Sequence, residues 1–493
     1  MNDFFSNVAL TPRQRALFLG FCALSSALIT FALPSYFPLS EPDSGGYINF
    51  DPTRTALYPL FLQVLRSLGF GLQQVTVIQL LLFSLALPVL LAALLRAGMS
   101  RGLVVLFVVL MAANTYFSSF YATILTESLY FTVLVVGLAF WIDYLRAGRA
   151  GHLAWAGLCV GLSIGIRPAA LVLVPMVVVS VWLKWHQRQA SAVLLAVALI
   201  VPLAAGALSE RLVYRLAHGG ASASVTHYVM MGKASMLVRE DMVFTGPHAA
   251  ALTALARQLY RTFRPAHEFL DGLPSVVAWP VLTAFYEAVG QFQTLNDEVA
   301  ATAAQLGIPA ADLKIELGRQ IIINDIPGYL RLTLIHTIGQ WSVKALTFPP
   351  AARAVNRYVD SLANPPFARL FNEVVLHPPA SASAIVVYPA FMLAGLISLL
   401  LSVVLLVFLV QPRLGDTPPG QYLMLAAFFA ATCHVSMIGI SMINLSTPRF
   451  LMAIYPQLLL SGLFLAMALV SPARRFWGRP EPLPGVVDRP EPA

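Results

Sequence analysis

Three acids and an arginine, Glu41, Asp43, Asp51 and Arg54, stand close together in EPDSGGYINFDPTRTALYPLF, directly after the first long apolar run of the chain. Further on, Glu127 opens an apolar run in TESLYF, Arg167 separates two runs in IGIRPAAL, and Arg449 opens the last run in STPRFLMAIYP. A carboxylate within hydrogen-bond reach of a hydroxyl can take its proton, and an arginine fork can hold a phosphate by two parallel bonds. Charges at membrane depth are costly, so those that persist pair with one another or line a polar cavity. An acid-and-arginine cavity at one membrane face therefore suits a reaction between a carboxylate and a phosphate carried at the interface. No compact Asp-x-Asp cluster accompanies these residues, and arginines can supply the positive charge, so this chemistry calls for no metal and no bound cofactor.

The elements that must position these groups emerge from hydropathy. Over 493 residues the chain is 58% hydrophobic and 11% charged, with a mean hydropathy of +0.75, which is the range of multi-span membrane proteins. The formal charge is +8, but Lys and Arg are scattered singly between apolar runs and form no stripe, which excludes nucleic acid as the partner and points to topology signals. Cys22, Cys159 and Cys433 lie inside apolar runs, so there is neither a disulfide framework nor a zinc spacing.

Apolar segments of spanning or near-spanning length fall at 16–36, 73–95, 102–119, 127–145, 153–166, 169–183, 190–213, 384–410, 421–443 and 450–470. The expectation is an all-α integral membrane protein of about ten transmembrane helices. The first is read as an uncleaved helix, and the fifth and sixth as a hairpin broken at Pro168. The connections holding Arg13 and Arg15, Arg96 and Arg101, Arg146 and Arg149, Lys184 and Arg188, Arg413 and Arg474 are basic, which places both termini in the cytoplasm. The organisation read this way is an N-terminal transmembrane module at 1–213, a mainly helical outside domain at 214–383, C-terminal helices at 384–471 and a disordered cytoplasmic tail at 472–493. Near 326–347 the pattern is amphipathic: Leu330, Leu334, Ile338 and Trp341 share one face, and Thr333, His336, Thr337, Gln340 and Lys344 share the other. That predicts a helix lying on the membrane surface.

The stretches EPDSGGYI, RTALYPLFL, LTESLYF, GLSIGIRPAALVLVP and TPRFLMAIYPQL resemble, in this order, signature stretches of the GT-C superfamily, polytopic glycosyltransferases that use polyprenyl-phosphate sugars. The likeness is greatest to the branch containing protein O-mannosyltransferases and the lipid A aminoarabinose transferase. It covers the first six helices and the last, and touches the outside segment only in NDIPGYLRLTL. The resemblance implies a GT-C-like fold at the bacterial inner membrane with the active site facing the periplasm. It implies a catalytic acid at Asp43 acting as general base toward an acceptor hydroxyl, and a second acid at Glu127 shaping the donor and acceptor site. It also implies that Arg167 and Arg449 hold the carrier phosphate. The partners implied are a polyprenyl-phosphate-linked sugar, a lipid, glycan or protein acceptor, and the bilayer. Some relatives carry two adjacent acids in the first loop, whereas here Pro42 separates Glu41 from Asp43. Inversion at the sugar would follow from single displacement by one base.

Each residue also has a plainer reading. Asp43 sits in good turn chemistry, Glu127 suits a helix N-terminus, and Asp51 is read as the first acid of a short surface helix starting near Pro52. Arg54 is a further candidate for the phosphate, or, like Arg449, a snorkelling interface residue. Arg167 could instead lock against Asp51 or Glu41. Glu41, Tyr47, Tyr58, His336 and Lys344 are possible substrate contacts, with Tyr47 and Tyr58 otherwise interfacial aromatics. His434 is read as a satisfied interior histidine. Two other functions fit a chain with many spans and a large outside segment: an O-antigen-type polymerase or ligase, which would rely on residues such as His336 and Lys344, and a membrane transporter, which the broken helices suggest.

Overall fold

The computed structural model describes residues 11–32, 41, 43–185, 191–220, 226–272, 279, 283, 286, 289–290, 295–341, 382–443 and 448–477. They form helices and short connections, with no strand among the described residues. The N-terminal part consists of α1 (Pro12–Ala32), α2 (Ser44–Ile48), α3 (Leu57–Ser67), α4 (Leu72–Arg96), α5 (Arg101–Ala113), α6 (Thr115–Ser119), α7 (Thr126–Ala147), α8 (Ala150–Ile166), a 3-10 turn at Pro168–Leu173, α9 (Val174–Trp185) and α10 (Ala192–His218). Then come α11 (Thr226–Leu237), α12 (Ala249–Asp271), α13 (Asn296–Leu306), α14 (Ala310–Asn324) and α15 (Ile326–Trp341), followed by α16 (Ala382–Val410), α17 (Pro418–Ile443), α18 (Pro448–Ala453) and α19 (Tyr455–Trp477).

Among the described residues, 7 helices are long and apolar enough to cross a membrane: Pro12–Phe31, Leu72–Arg96, Thr126–Ala147, Pro168–Trp185, Ala192–His218, Met392–Val410 and Pro418–Ile443. The chain is thus a multi-pass, all-α membrane protein. Shorter apolar helices at Arg101–Ala113, Ala150–Ile166 and Tyr455–Val470 lie where the sequence suggests three further spans. Local signals set several helix ends. Ser100, Asn114 and Ser191 accept the N–H of Leu103, Phe117 and Leu194 through their side chains, and so cap α5, α6 and α10. Gly148 and Gly219 end α7 and α10 in the left-handed conformation, at φ 68° and 69°.

Small residues decide how closely α8 and α10 approach. A Cβ on Gly161 would overlap the Leu203 carbonyl, and one on Gly206 would come within 2.6 Å of the Leu162 nitrogen, so only glycines let the two backbones touch. Trp141, Phe83, Phe107, Phe131, Phe428 and Phe429 fill the main core between α4, α5, α7 and α17. Outward-facing Leu85, Val193, Leu216, Leu400 and Val410 are exposed, as lipid-facing positions must be. The segment from α11 to α14 has a separate core from Met231, Leu252, Leu259, Phe263, Val299, Leu313, Leu317 and Ile321.

The structure differs from expectation in four places. Helix α10 continues to His218, past the expected boundary at residue 213, and α19 runs to Trp477, past the start of the expected tail, whose remainder lies outside the described residues. The first loop holds α2, and α3 begins at Leu57 and not near Pro52. The amphipathic helix α15 turns its polar face inward. Thr333, His336, Thr337 and Gln340 are buried while Leu330, Leu334 and Ile338 are exposed. Gln340 Nε2 donates to Ser441 Oγ at 2.8 Å, the Tyr329 hydroxyl to the Met442 carbonyl at 2.7 Å, and Trp341 packs 5.2 Å from the His434 ring. A polar face turned onto the bundle and an apolar face left outside is the reverse of a helix resting on a soluble protein, and it suits a helix flanked by lipid.

Candidate functional site

Asp43 directly precedes α2, and the chain then returns on itself. The Asp51 N–H donates to the Gly46 carbonyl at 2.8 Å and the Phe50 N–H to the Tyr47 carbonyl at 3.3 Å, the Schellman pattern that closes a helix. The position that usually takes glycine is Phe50, at φ 52°. A left-handed aromatic residue stores strain of about 1–3 kcal/mol and persists only where its surroundings impose it. Asp51 then accepts both the N–H and the hydroxyl of Thr53 at 2.8 Å. Asp51 therefore closes a turn and does not start a helix, and these bonds hold its carboxyl below the usual range.

This turn brings Arg54 back over α2. Arg54 Nη2 donates to Asp43 Oδ1 at 2.9 Å, and both side chains remain partly exposed. The guanidinium lies over the Tyr47 ring, 5.3 Å from its centroid. Gly46 makes room for it, since a Cβ there would stand 2.7 Å from Arg54 Nε. Tyr47 meets the Tyr58 ring edge-on at 5.4 Å. Both tyrosines are buried, Tyr58 completely, so they are interior rings and not the interfacial aromatics expected. The Tyr58 hydroxyl donates to Gln79 Oε1 at 2.6 Å, and Gln79 Nε2 reaches the carbonyls of Tyr121 and Thr123 at 3.3 and 3.2 Å. Burial pushes the Tyr58 hydroxyl well above its ordinary pKa, and the nearby Glu127 charge adds to the effect.

Glu127 stands in the first turn of α7 with no exposed surface. Its N-terminal position is favoured by the helix dipole, and the Thr126 hydroxyl donates to Oε2 at 3.2 Å. Its main partner is Arg167, which joins Oε1 through Nη1 and is itself nine-tenths buried. Arg167 closes α8, where its N–H donates to the Ser163 carbonyl at 2.8 Å, and the Thr55 hydroxyl donates to the adjoining Ile166 carbonyl at 3.0 Å. The arginine of the hairpin therefore locks against Glu127, and neither Asp51 nor Glu41 is its partner in this pair. A small cavity lies against Arg167, lined also by Tyr130, Ser436, Ala453 and Ile454. Those last two residues end α18 and follow it, so the helix bearing Arg449 borders this cavity, although the Arg449 side chain lies outside the described residues.

The structure thus links Asp43, Arg54, Tyr47 and Tyr58 by direct contacts around α2 and α3, and sets the Glu127–Arg167 pair of α7 and α8 near enough for the Glu127 charge to act on Tyr58. Glu41 is exposed at its edge, its N–H bonded to Ser44 Oγ at 2.9 Å. His336 is elsewhere: fully buried on α15, its Nδ1 lies 2.8 Å from Lys233 Nζ of α11. It is therefore no surface contact for a carrier lipid, because the polar face it belongs to turns inward. Lys344 lies outside the described residues. His434 is an interior histidine whose Nε2 lies 2.9 Å from Ser398 Oγ. Among the described residues, no three His, Cys, Asp or Glu side chains gather where a cation would sit.

Sequence reasoning misses Gln79, Glu210 and Asp143, although each is marked by being a lone polar or acidic residue in an apolar run. Glu210, on α10, accepts the Ala56 N–H at 3.3 Å and so belongs to the network's margin. Asp143, at the other end of α7, is held by Arg96 Nε and Nη2 at 3.1 and 2.5 Å, with Arg146 at 3.8 Å. No family model matches the chain, and no curated protein or solved structure matches it either.

Proposed function

We propose that this protein is an inverting glycosyltransferase of the membrane, moving a sugar from a polyprenyl-phosphate carrier to a hydroxyl of a cell-envelope glycolipid, polysaccharide or protein. The observation that carries this reading is a pair of acid–arginine contacts on adjoining elements: Asp43–Arg54 over the Tyr47 ring, and Glu127–Arg167, whose carboxylate is near enough for its charge to act on Tyr58. The first pair is partly open to solvent and the second is closed. That division suits a site in which one carboxylate handles protons while a buried ion pair fixes the floor.

In the proposed reaction the acceptor hydroxyl attacks the anomeric carbon, the bond from that carbon to the phosphate oxygen breaks, and Asp43 takes the hydroxyl proton. The leaving phosphate gains charge as the bond breaks, and Arg54 is placed to bind it by exchanging one carboxylate oxygen for phosphate oxygens. That exchange frees Asp43 to act as base at the moment the donor is seated. Arg167 and the helix bearing Arg449 border the small cavity beside the Glu127–Arg167 pair and are the further candidates for the phosphate. The same reading makes all ten apolar helices spans, ten in a GT-C-like arrangement, and puts the cluster on the periplasmic side of a bacterial inner membrane. A polymerase or ligase acting through His336 is less well supported, because that imidazole is buried against Lys233.

The test is binding and product analysis with purified protein, a polyprenyl-phosphate sugar and extracted envelope acceptors. Expected are a glycosylated product of inverted anomeric configuration and donor binding that weakens when Arg54 is replaced by Ala. A product of retained configuration would remove the single-displacement mechanism, and donor binding indifferent to Arg54 would remove its phosphate role.

A further inference from the structure

Glu210, Tyr214 and His218 are spaced four residues apart near the end of α10, and so lie along one helix face. All three touch the segment that carries Arg54. Glu210 Oε1 accepts the Ala56 N–H at 3.3 Å, the Tyr214 hydroxyl donates to the Pro52 carbonyl at 2.7 Å, and the His218 ring meets the Phe50 ring edge-on at 4.7 Å. Phe50, Ala56 and Tyr214 are buried together in a small core of their own, separate from the two larger ones. One helix face thus grips the segment at its start, middle and end.

The grip falls where the backbone needs it. Phe50 holds a left-handed conformation at φ 52°, which a bulky residue keeps only when its surroundings impose it, and its ring is seated on α10. The direction of the chain from Phe50 to Arg54 is set by that turn, and the Arg54–Asp43 contact is set by the direction. On the far side, the Thr55 hydroxyl bonded to the Ile166 carbonyl ties the same segment to α8. Helix α8 is pressed on α10 at Gly161 and Gly206, and a Cβ on Gly165 would stand 3.0 Å from Glu210 Cβ.

We infer that Glu210, Tyr214 and His218 are positioning residues: the end of α10 holds Phe50 in its left-handed turn and thereby sets Arg54 against Asp43. The strut is also the helix that leads through Gly219 to the outside segment. The latch itself stands on geometry alone, and only its effect on turnover rests on the proposed transfer reaction.

The experiment is hydrogen exchange measured peptide by peptide on the purified full-length protein in lipid nanodiscs, paired with transfer kinetics using a polyprenyl-phosphate sugar. In Glu210→Ala and in Tyr214→Phe, exchange over residues 50–56 should rise about ten-fold, the size of one lost hydrogen bond to a charged or buried group. Residues 126–147 should stay unchanged. Glu210→Gln keeps an oxygen acceptor and should return exchange close to the parent value. In the transfer assay kcat should fall with the loss of protection and KM for the donor should rise with it, because the latch positions Arg54, the proposed phosphate contact. Unchanged exchange in Tyr214→Phe and Glu210→Ala overturns the latch, as does raised exchange with full kcat. If the parent protein transfers no sugar, the reaction proposed above fails, and the exchange results still decide the latch. Should Glu210→Ala fail to fold, Tyr214→Phe, which removes only a hydroxyl, carries the same decision.

Discussion

Glu127 and Asp143 ride on the same helix, about 24 Å apart by helical rise, and arginine meets both, yet the two ends of α7 are built differently. Asp143 is close to the helix C-terminus, where the dipole disfavours an acid. It is held by a two-point fork from Arg96, supported by Arg146. Both arginines are partly exposed, and Gln421 Nε2 reaches the Arg146 carbonyl at 3.5 Å. This is a closed clamp between α4, α7 and α17. Glu127 has the favourable end of the dipole and one buried arginine, and its charge acts on Tyr58, whose ring meets Tyr47 beside the partly exposed Arg54–Asp43 pair. One end locks helices together, whereas the other lies near a partly exposed acid–arginine pair backed by a strained turn.

The largest difference should appear when each acid loses its charge partner. Glu127→Ala leaves Arg167 buried without its carboxylate and should destabilise the protein by about 3–5 kcal/mol. Asp143→Ala leaves two arginines that can turn to water and should cost about 1–3 kcal/mol. Thermal unfolding in one detergent reads both, and equal losses would erase the distinction between a buried and a ventilated pair. On turnover the order changes. Arg54→Ala should reduce transfer about 100-fold or more, whereas Arg96→Ala should leave the turnover of folded protein close to the parent value.

Next in size is Gly46→Ala. The added methyl meets the middle of a flexible side chain, so unfolding should shift by less than about 1 kcal/mol. Displacing Arg54 from Asp43 should nonetheless lower transfer by about ten-fold. A variant that unfolds as much as it loses activity would show that Gly46 serves packing alone. The smallest effect concerns Asp51, whose carboxyl is held below its ordinary pKa by the Thr53 bonds. A depressed acid stabilises the fold above its unfolded pKa and loses that contribution as pH falls through the folded value. Below about pH 4 the parent should therefore lose well under 1 kcal/mol relative to Asp51→Asn, a modest effect because the group is close to solvent. A parent and variant with parallel stability curves down to pH 2 would contradict it.

The residues that the structure brings together are readable as candidates because each is a charge or an aromatic beside an apolar run: Asp43, Arg54, Glu127, Arg167, Tyr47 and Tyr58 all stand out in this way. Who pairs with whom is not readable. Arg167 meets Glu127 because α7 and α8, joined by two residues, pack side by side and bring the start of one to the end of the other, and no local pattern in IGIRPAAL or TESLYF contains that pairing. Helix α15 shows a second limit. Its two faces are legible to the residue, but period alone does not say which face is inside when the surrounding medium is lipid on one side and a polar bundle on the other. Phe50 shows a third, since left-handed turns announce themselves by glycine or asparagine, and here an aromatic residue is forced into one by the face of α10. Glu210 carries the clearest missed signal, as the single acid of a long apolar helix, set between Ser209 and Arg211 near its end.

The role of Asp43 as base is tested most directly by comparing Asp43→Asn with Asp143→Asn in a purified transfer assay, donor binding being measured alongside. Asp43→Asn should bind the polyprenyl-phosphate sugar but transfer it about a thousand-fold more slowly, while folded Asp143→Asn turns over like the parent. Undiminished transfer by Asp43→Asn would contradict the assignment of Asp43 as the base.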